Sequence, residues 1–523
     1  MRSQETIFRI CLRGINSCNW NRKTNKKRYS CCWFSFLALV SSLALVWLYI
    51  CFIAYNEHND FNGKFFQKLS FWVNWYMVII IVSAVLAIYC LLLLIFSLFQ
   101  FAIKEPLDLH WFHKVFLILG LIIVVIGTAA ISLEWKEEWS TVRLSLQATA
   151  PFLQLGAVVA LTLVSWLVFH SYHKTQSTVS KVLIIGALLA VSTGIFISPL
   201  WINSPCVIET LYPKPALVGH RGAPVLAPEN TMMSFKRSME CNVTAFETDV
   251  QLSKDKTPFL MHDHGTNFLK RTTNADVIFP NRMYNQSTDW TWQELQMLNA
   301  GEWFIKNDPF WSVSLLSKEE RQRTSNQTVP SLSELLDLAK EHNIPIIFDS
   351  KNDNDDCSYT VETILNSGIS RDLIWLLPKA CREYANKHGQ RFQQVYSDAS
   401  EMEAENGTFL NMKYNSLSAK DIREYRRKNV RVNMWVVNES WLFSLLWCSG
   451  VSSVTTNSCH LFRDMSQPDW HLTPLMYNVI WITVDLVSLF MMVILFLLQR
   501  RKKTRNQSHL ERDIPLLKQS ISK

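Results

Sequence analysis

The 523-residue sequence predicts an α/β protein: a TIM (β/α)8-barrel ectodomain with a capping insertion, attached to an all-α membrane domain of six transmembrane helices. Three observations predict it. Apolar runs long enough to cross a bilayer fill the first two-fifths and the C-terminal end, while the middle is an ordinary mixed sequence. Within that middle, short apolar runs each end in polar side chains, as the strands of a parallel β/α barrel do at their C-terminal ends. The middle is also about 270 residues long, close to the ~250 of one such barrel.

The elements follow in chain order. Residues 1–31 form a basic arm in which Arg2, Arg9, Arg13, Arg22, Lys23, Lys26, Lys27 and Arg28 face one acid, Glu5. Its position against a membrane helix argues against a nucleic-acid partner. The first apolar run, 32–55, exceeds a signal-peptide core and has no clear small-residue cleavage site, so it reads as a signal anchor. Further spans are expected at 75–99, 115–133, 149–169 and 182–200, within a five-helix segment 32–202, and a sixth at 477–498. Both termini are basic, 499–523 through Arg500-Arg501-Lys502-Lys503, so both are expected in the cytosol. The loop 134–147, with Glu134, Glu137 and Glu138, belongs outside by the same rule. Asp485, in the last span, is expected to face other helices or water, either paired with a polar group or protonated.

This layout places 203–474 on the extracellular or lumenal side. Glycosylation acceptors are expected there at Asn242, Asn285, Asn326 and Asn406; Asn438, in a late strand, and Asn506, in the tail, are expected to stay bare. Of the twelve cysteines, Cys206, Cys241, Cys357, Cys381, Cys448 and Cys459 lie in this domain. An oxidising compartment permits disulfides among these six, in any of 15 pairings. Strands are expected at 215–219, 245–250, 257–261, 344–348, 372–377, 392–396, 430–437 and 452–456, with 409–414 competing for the sixth place. The insertion 265–329 is too long for a simple connection. Its aromatics Trp290, Trp292, Trp303, Phe304, Phe310 and Trp311 read first as its own small core, and second as a pocket wall.

The chemistry concentrates between Leu217 and Asp263. Strand alternation puts Glu247 and Asp249 on one face, a costly pairing unless a cation or proton lies between them. Hard oxygen donors suit Ca2+ or Mg2+. His220 and Arg221 end one run, His262 another, and Asp349 a third, with Lys351 two residues on.

These motifs resemble the glycerophosphodiester phosphodiesterases, in a multi-pass membrane branch. The resemblance rests on His220-Arg221-Gly222, Pro228-Glu229-Asn230-Thr231, Glu247-Thr248-Asp249-Val250 and His262-Asp263. It continues through Pro330-Ser331-Leu332-Ser333-Glu334, Phe348-Asp349-Ser350-Lys351, Trp435-Val436-Val437-Asn438 and Val454-Thr455-Thr456-Asn457. It implies that His220 and His262 form an acid–base pair assisted by Arg221. It also implies that Glu247, Asp249 and Asp349, with His262 nearby, hold a divalent cation. Arg221, Glu229, Asn230 and Lys351 would bind the substrate. Asp349 stands where many relatives have glutamate, Lys256 where glycine is frequent, and Val436 where threonine is common. The implied activity is metal-dependent hydrolysis of glycerophosphodiesters, or of related lysophospholipid or glycosylphosphatidylinositol-type phosphodiesters, at a bilayer. The alternative is a catalytically weak cell-surface binding or signalling protein on the same fold. The oligomeric state is not legible in the sequence.

Overall fold

A computed structural model describes residues 10–11, 14–18, 30–102, 107–265, 267–283, 286–351 and 357–521. Most of the basic arm and the Asn285 sequon lie outside them.

The first part of the chain is helical: α1 (Ser30–Ile53), α2 (His58–Leu69), α3 (Trp75–Ala102), α4 (Trp111–Glu134), α5 (Glu138–Lys174) and α6 (Thr178–Ile197). Among the described residues six helices are long and apolar enough to cross a membrane, five before the barrel and one after it. α1 packs on α3 and α4, and α5 packs on α6 and on the C-terminal helix Pro474–Ile521. Asp485 finds its partner there, accepting from Gln154 Nε2 of α5 at 3.4 Å. The expected loop 134–147 is helical from Glu138, so α5 begins well before its apolar stretch.

The barrel strands are β1 (Ala216–His220), β2 (Ala245–Leu252), β3 (Pro258–Leu260), β4 (Ile346–Ser350), β5 (Ile374–Leu376), β6 (Gln393–Gln394), β7 (Phe409–Lys413), β8 (Arg431–Trp435) and β9 (Ser453–Thr456). Eight run parallel in the order β6-β5-β4-β2-β1-β9-β8-β7. A parallel bridge between Tyr396 and Leu410 draws β6 toward β7 and nearly closes the ring. β3 differs from the expectation: it pairs antiparallel with β2 and stands outside the ring. The five-residue connection to it is too short for a parallel crossover. The eighth place is filled because 393–394 and 409–413 are both barrel strands rather than competitors.

Two motif segments have local structural reasons. Thr231 caps the helix Met232–Glu240, its hydroxyl accepting from Ser234 N. Ser331 and Glu334 form a reciprocal capping box on the helix Leu332–His342. Gly222 sits at φ +87°, where an added Cβ would lie 2.5 Å from the Ser234 backbone, so a side chain is excluded from the turn after β1.

The six cysteines of the barrel domain pair as Cys206–Cys448, Cys241–Cys459 and Cys357–Cys381. The first two close loops of 242 and 218 residues, tying the first barrel elements to the last. Replacing Cys241 and Cys459 together by serine is expected to cost about 2–5 kcal/mol of stability, read by chemical denaturation against the parent chain. Asn242, Asn326 and Asn406 are exposed, whereas Asn438 is buried and accepts a hydrogen bond from Asn457 N. In the insertion, Trp290 and Phe304 are fully buried in its own cores, as first expected. Trp303 and Phe310 belong to the same core as Phe304 and also line the cavity at the barrel mouth.

Candidate active site

Register gathers the site. β1 and β2 pair His220 with Glu247, and β2 and β4 pair Asp249 with Asp349. Residues matched across parallel strands point the same way, and so do alternate residues of one strand. His220, Glu247, Asp249 and Asp349 therefore share one face at the C-terminal end of the ring.

Arg221 follows β1 in the left-handed region (φ 53°), which turns its side chain back over the mouth. Its backbone N–H donates to Glu247 Oε2 at 3.0 Å. Its guanidinium reaches Glu229 Oε1 at 3.0 Å and Asp249 Oδ2 at 3.2 Å. Asn230, also left-handed at φ 52°, donates to Asp249 Oδ2 at 3.1 Å and accepts from the Thr248 hydroxyl at 3.0 Å. Lys351 Nζ lies 2.7 Å from Asp349 Oδ2 and 3.4 Å from Asp249 Oδ1, bridging the two carboxylates.

The histidines have different second partners. His220 Nδ1 meets Asn457 Oδ1 at 2.6 Å, and its Nε2 lies 4.0 Å from Glu247 Oε2. His262, beyond β3, sets Nδ1 against Asp263 Oδ1 at 3.2 Å. Asp263 is itself held by Arg271, whose Nε donates to Asp263 Oδ2 at 2.7 Å and whose NH1 and NH2 donate to Glu229 Oε2 and Oε1 at 2.9 and 2.6 Å.

Electrostatics sorts these groups. Burial, and then the charge of Arg221, push the His220 imidazole down to about 4, so it is neutral near pH 7. Burial and the charge of Asp249 push the Glu247 carboxyl well above the usual carboxylate range. Burial also works against ionisation of Asp249, but His262, Arg221 and Lys351 override it and keep that carboxylate charged. Glu229 is held down to about 2 because Arg271 and Arg221 outweigh its burial.

Glu247, Asp249 and Asp349 are hard oxygen donors and fit a divalent cation in kind. Among the described residues Glu247 has no ammonium or guanidinium within ion-pair distance; burial first, and then the Asp249 charge, raise its carboxyl. No three His, Cys, Asp or Glu groups among the described residues close into a cage, and Lys351 stands between Asp249 and Asp349.

A cavity of about 320 Å3 opens at this mouth, lined by His220, Arg221, Glu229, His262, Arg271 and Asn457 among others. Asp60, Gly63 and Lys64 of α2 line its far side. Reasoning from sequence assigned no role to Arg271, Asn457, Asp263 or Asp60. Asn457 and Asp263 stand inside quoted motifs, while Arg271 lies in the insertion and Asp60 some 160 residues upstream of His220, where no strand pattern points to them.

Residues 220–374 match the model of the glycerophosphoryl diester phosphodiesterase family. The chain is 40% identical to the mouse (Mus musculus) glycerophosphoinositol inositolphosphodiesterase GDPD2 over 527 aligned positions, covering 98% of this chain and 97% of that protein. It is 39% identical to the chicken (Gallus gallus) glycerophosphodiester phosphodiesterase domain-containing protein 5, covering 94% of this chain and 84% of that protein. A solved phosphodiesterase from Oleispira antarctica, in complex with sn-glycerol-3-phosphate, is 19% identical over 48% of this chain and 95% of its own, with a TM-score of 0.40.

Proposed function

We propose a specific chemistry for a chain that belongs to the glycerophosphoryl diester phosphodiesterase family and is a phosphodiesterase of that family. His220 is the general base and His262 the general acid in cleavage of a glycerophosphodiester. The carrying observation is the unequal partnering of the two imidazoles. Asn457 Oδ1 accepts from Nδ1–H of His220, which leaves Nε2 as a free base facing the cavity. Burial and Arg221 keep that ring neutral and ready to take a proton from the attacking hydroxyl, whether of water or of the substrate itself. His262 rests its Nδ1 against the Asp263 carboxylate, which fixes the ring at the cavity where it serves the leaving alkoxide. Arg221 and Lys351 offset the charge that builds on the phosphoryl oxygens, and Glu229 and Asn230 orient Arg221 and Asp249.

A divalent cation, Ca2+ or Mg2+, held by Glu247 and Asp249 with Asp349 alongside would supply further neutralisation of the phosphoryl oxygens. Mg2+ or Ca2+ titrated calorimetrically into chelator-treated protein is expected to bind at one site, and Glu247→Gln to abolish that binding. Equal affinity in the variant would remove Glu247 from the ligand set.

The 40% identical mouse protein is named for glycerophosphoinositol, which makes that molecule the first substrate to assay. Its turnover by the full-length chain, with glycerophosphocholine beside it, tests the reading. A folded chain that cleaves neither would return weight to a binding protein.

The helices form a six-span membrane domain with both termini in the cytosol, and the barrel 203–474 outside it. Contacts with the barrel support this. They come from α2 and the turn just ahead of it, between the first two spans, and from the turn at Glu137 and Glu138, between the third and fourth. Alternation puts both of these, and the chain after the fifth span, on one side of the bilayer.

A further inference from the structure

The mouth of the barrel is completed by a helix that does not belong to it. α2 is fixed over the strand ends by specific bonds. Just ahead of it, Asn56 Nδ2 donates to Val436 O at 2.9 Å, and Asn438 N donates to Asn56 Oδ1 at 2.8 Å. Asn267 Nδ2 of the insertion donates to Gln67 O at 2.7 Å, and the His58 ring stands edge-on to Phe310 with centroids 6.3 Å apart. Lys64 holds its ammonium 5.9 Å from the Trp135 ring, tying α2 to the turn before α5.

So placed, α2 turns Asp60 into the cavity that holds His220, Arg221 and His262, all three within electrostatic range of its carboxylate. The Asp60 side chain is exposed to that space, and among the described residues it makes no hydrogen bond or ion pair. Every carboxylate on the barrel side except Glu247 is satisfied by Arg221, Arg271 or Lys351. A lone carboxylate opposite a phosphate site repels phosphate. It is complementary to a hydroxyl-bearing group joined to that phosphate, because an ionised carboxylate only accepts hydrogen bonds.

We propose that Asp60 is a specificity-determining residue, supplied from between the first two spans, that accepts hydrogen bonds from the hydroxyls of a polyol esterified to the scissile phosphate. This rests on the phosphodiesterase reading above. It makes the recognition surface a joint product of the membrane domain and the barrel.

The test uses the full-length chain in detergent and two substrates, glycerophosphoinositol and bis(4-nitrophenyl) phosphate, which carries no hydroxyl. For Asp60→Ala, the ratio of kcat/KM on the polyol ester to that on the aryl ester is expected to fall about 10- to 100-fold, the range of a hydrogen bond to a charged group. The loss should sit mainly in KM, and Asp60→Asn, which keeps an acceptor oxygen, should lose less. An unmoved ratio, or equal losses on both substrates, would overturn the proposal. Gly63→Leu supplies a variant that folds readily: leucine is the better helix former, and an added Cβ meets nothing within 4 Å. It is expected to lower kcat/KM on both substrates by filling the same cavity. Full activity on both would place α2 outside the substrate's path and overturn the assignment. A parent chain that cleaves neither ester would defeat the underlying phosphodiesterase reading, whereas a parent that cleaves both with an Asp60-independent ratio would defeat this inference alone.

Discussion

His220→Ala in the full-length chain is expected to lower kcat on glycerophosphoinositol by about a hundred- to ten-thousand-fold, the span that a positioned general base contributes. Two features of the site set the size of this effect. The ring is pinned by a 2.6 Å bond to Asn457, so its free nitrogen is aimed before substrate arrives. Burial and Arg221 hold its pKa at about 4, so the whole population is in the basic form at neutral pH. No other imidazole shares the end of β1, and His262 is committed to Asp263. The unfolding temperature separates chemistry from folding: a loss of rate with an unchanged transition supports the assignment, and a loss that tracks unfolding opposes it. Asn457→Ala is the companion, expected to keep the nucleophile's site intact but leave the ring free to rotate.

Arg271→Ala is expected to be the more damaging change for the fold, costing about 3–5 kcal/mol. Its guanidinium satisfies two buried carboxylates, Glu229 and Asp263, through four short hydrogen bonds, and its own side chain is nearly covered. Removing it leaves Glu229 with Arg221 alone and Asp263 with the His262 ring alone as charged partners among the described residues. The pH dependence follows from the sign of the Glu229 shift. Its carboxyl ordinarily titrates near 4.5 and is held at about 2 in the folded chain. The stabilisation is therefore complete above the ordinary carboxylate range and is lost as pH falls through 4.5 toward 2. Denaturant midpoints measured from pH 7 to pH 3 should show that acid limb in the parent chain and a weakened one in the variant. A variant as stable as the parent at pH 7 would contradict the clamp.

Strand chemistry was the most legible part of the molecule. Alternation along 245–250 put Glu247 and Asp249 on one face, and the ends of three other apolar runs supplied His220, His262 and Asp349. The ring register then places His220, Glu247, Asp249 and Asp349 together. What sequence left obscure has identifiable causes. The run at 257–261 has the composition of a barrel strand, and only the five-residue gap before it marks it as antiparallel. β6 is two residues long, too short to show any period. Lys256 is the opposite case: its left-handed backbone, φ 65°, accounts for the glycine that relatives often carry at that turn. Arg271 and Asp60 escaped because tertiary packing carries them to the cavity, one from the insertion and one from α2. The disulfides escaped for the same reason, since two of the three join residues more than 200 positions apart.

The reactive end of the barrel faces the helices from which the barrel is suspended. Lys413 at the end of β7 is paired with Glu137, and the segment after β8 is bonded to Asn56. The cavity at the strand ends is consequently walled in part by α2 rather than by the barrel alone. A barrel cut free from these helices would lose that wall together with the bonds that hold it in place.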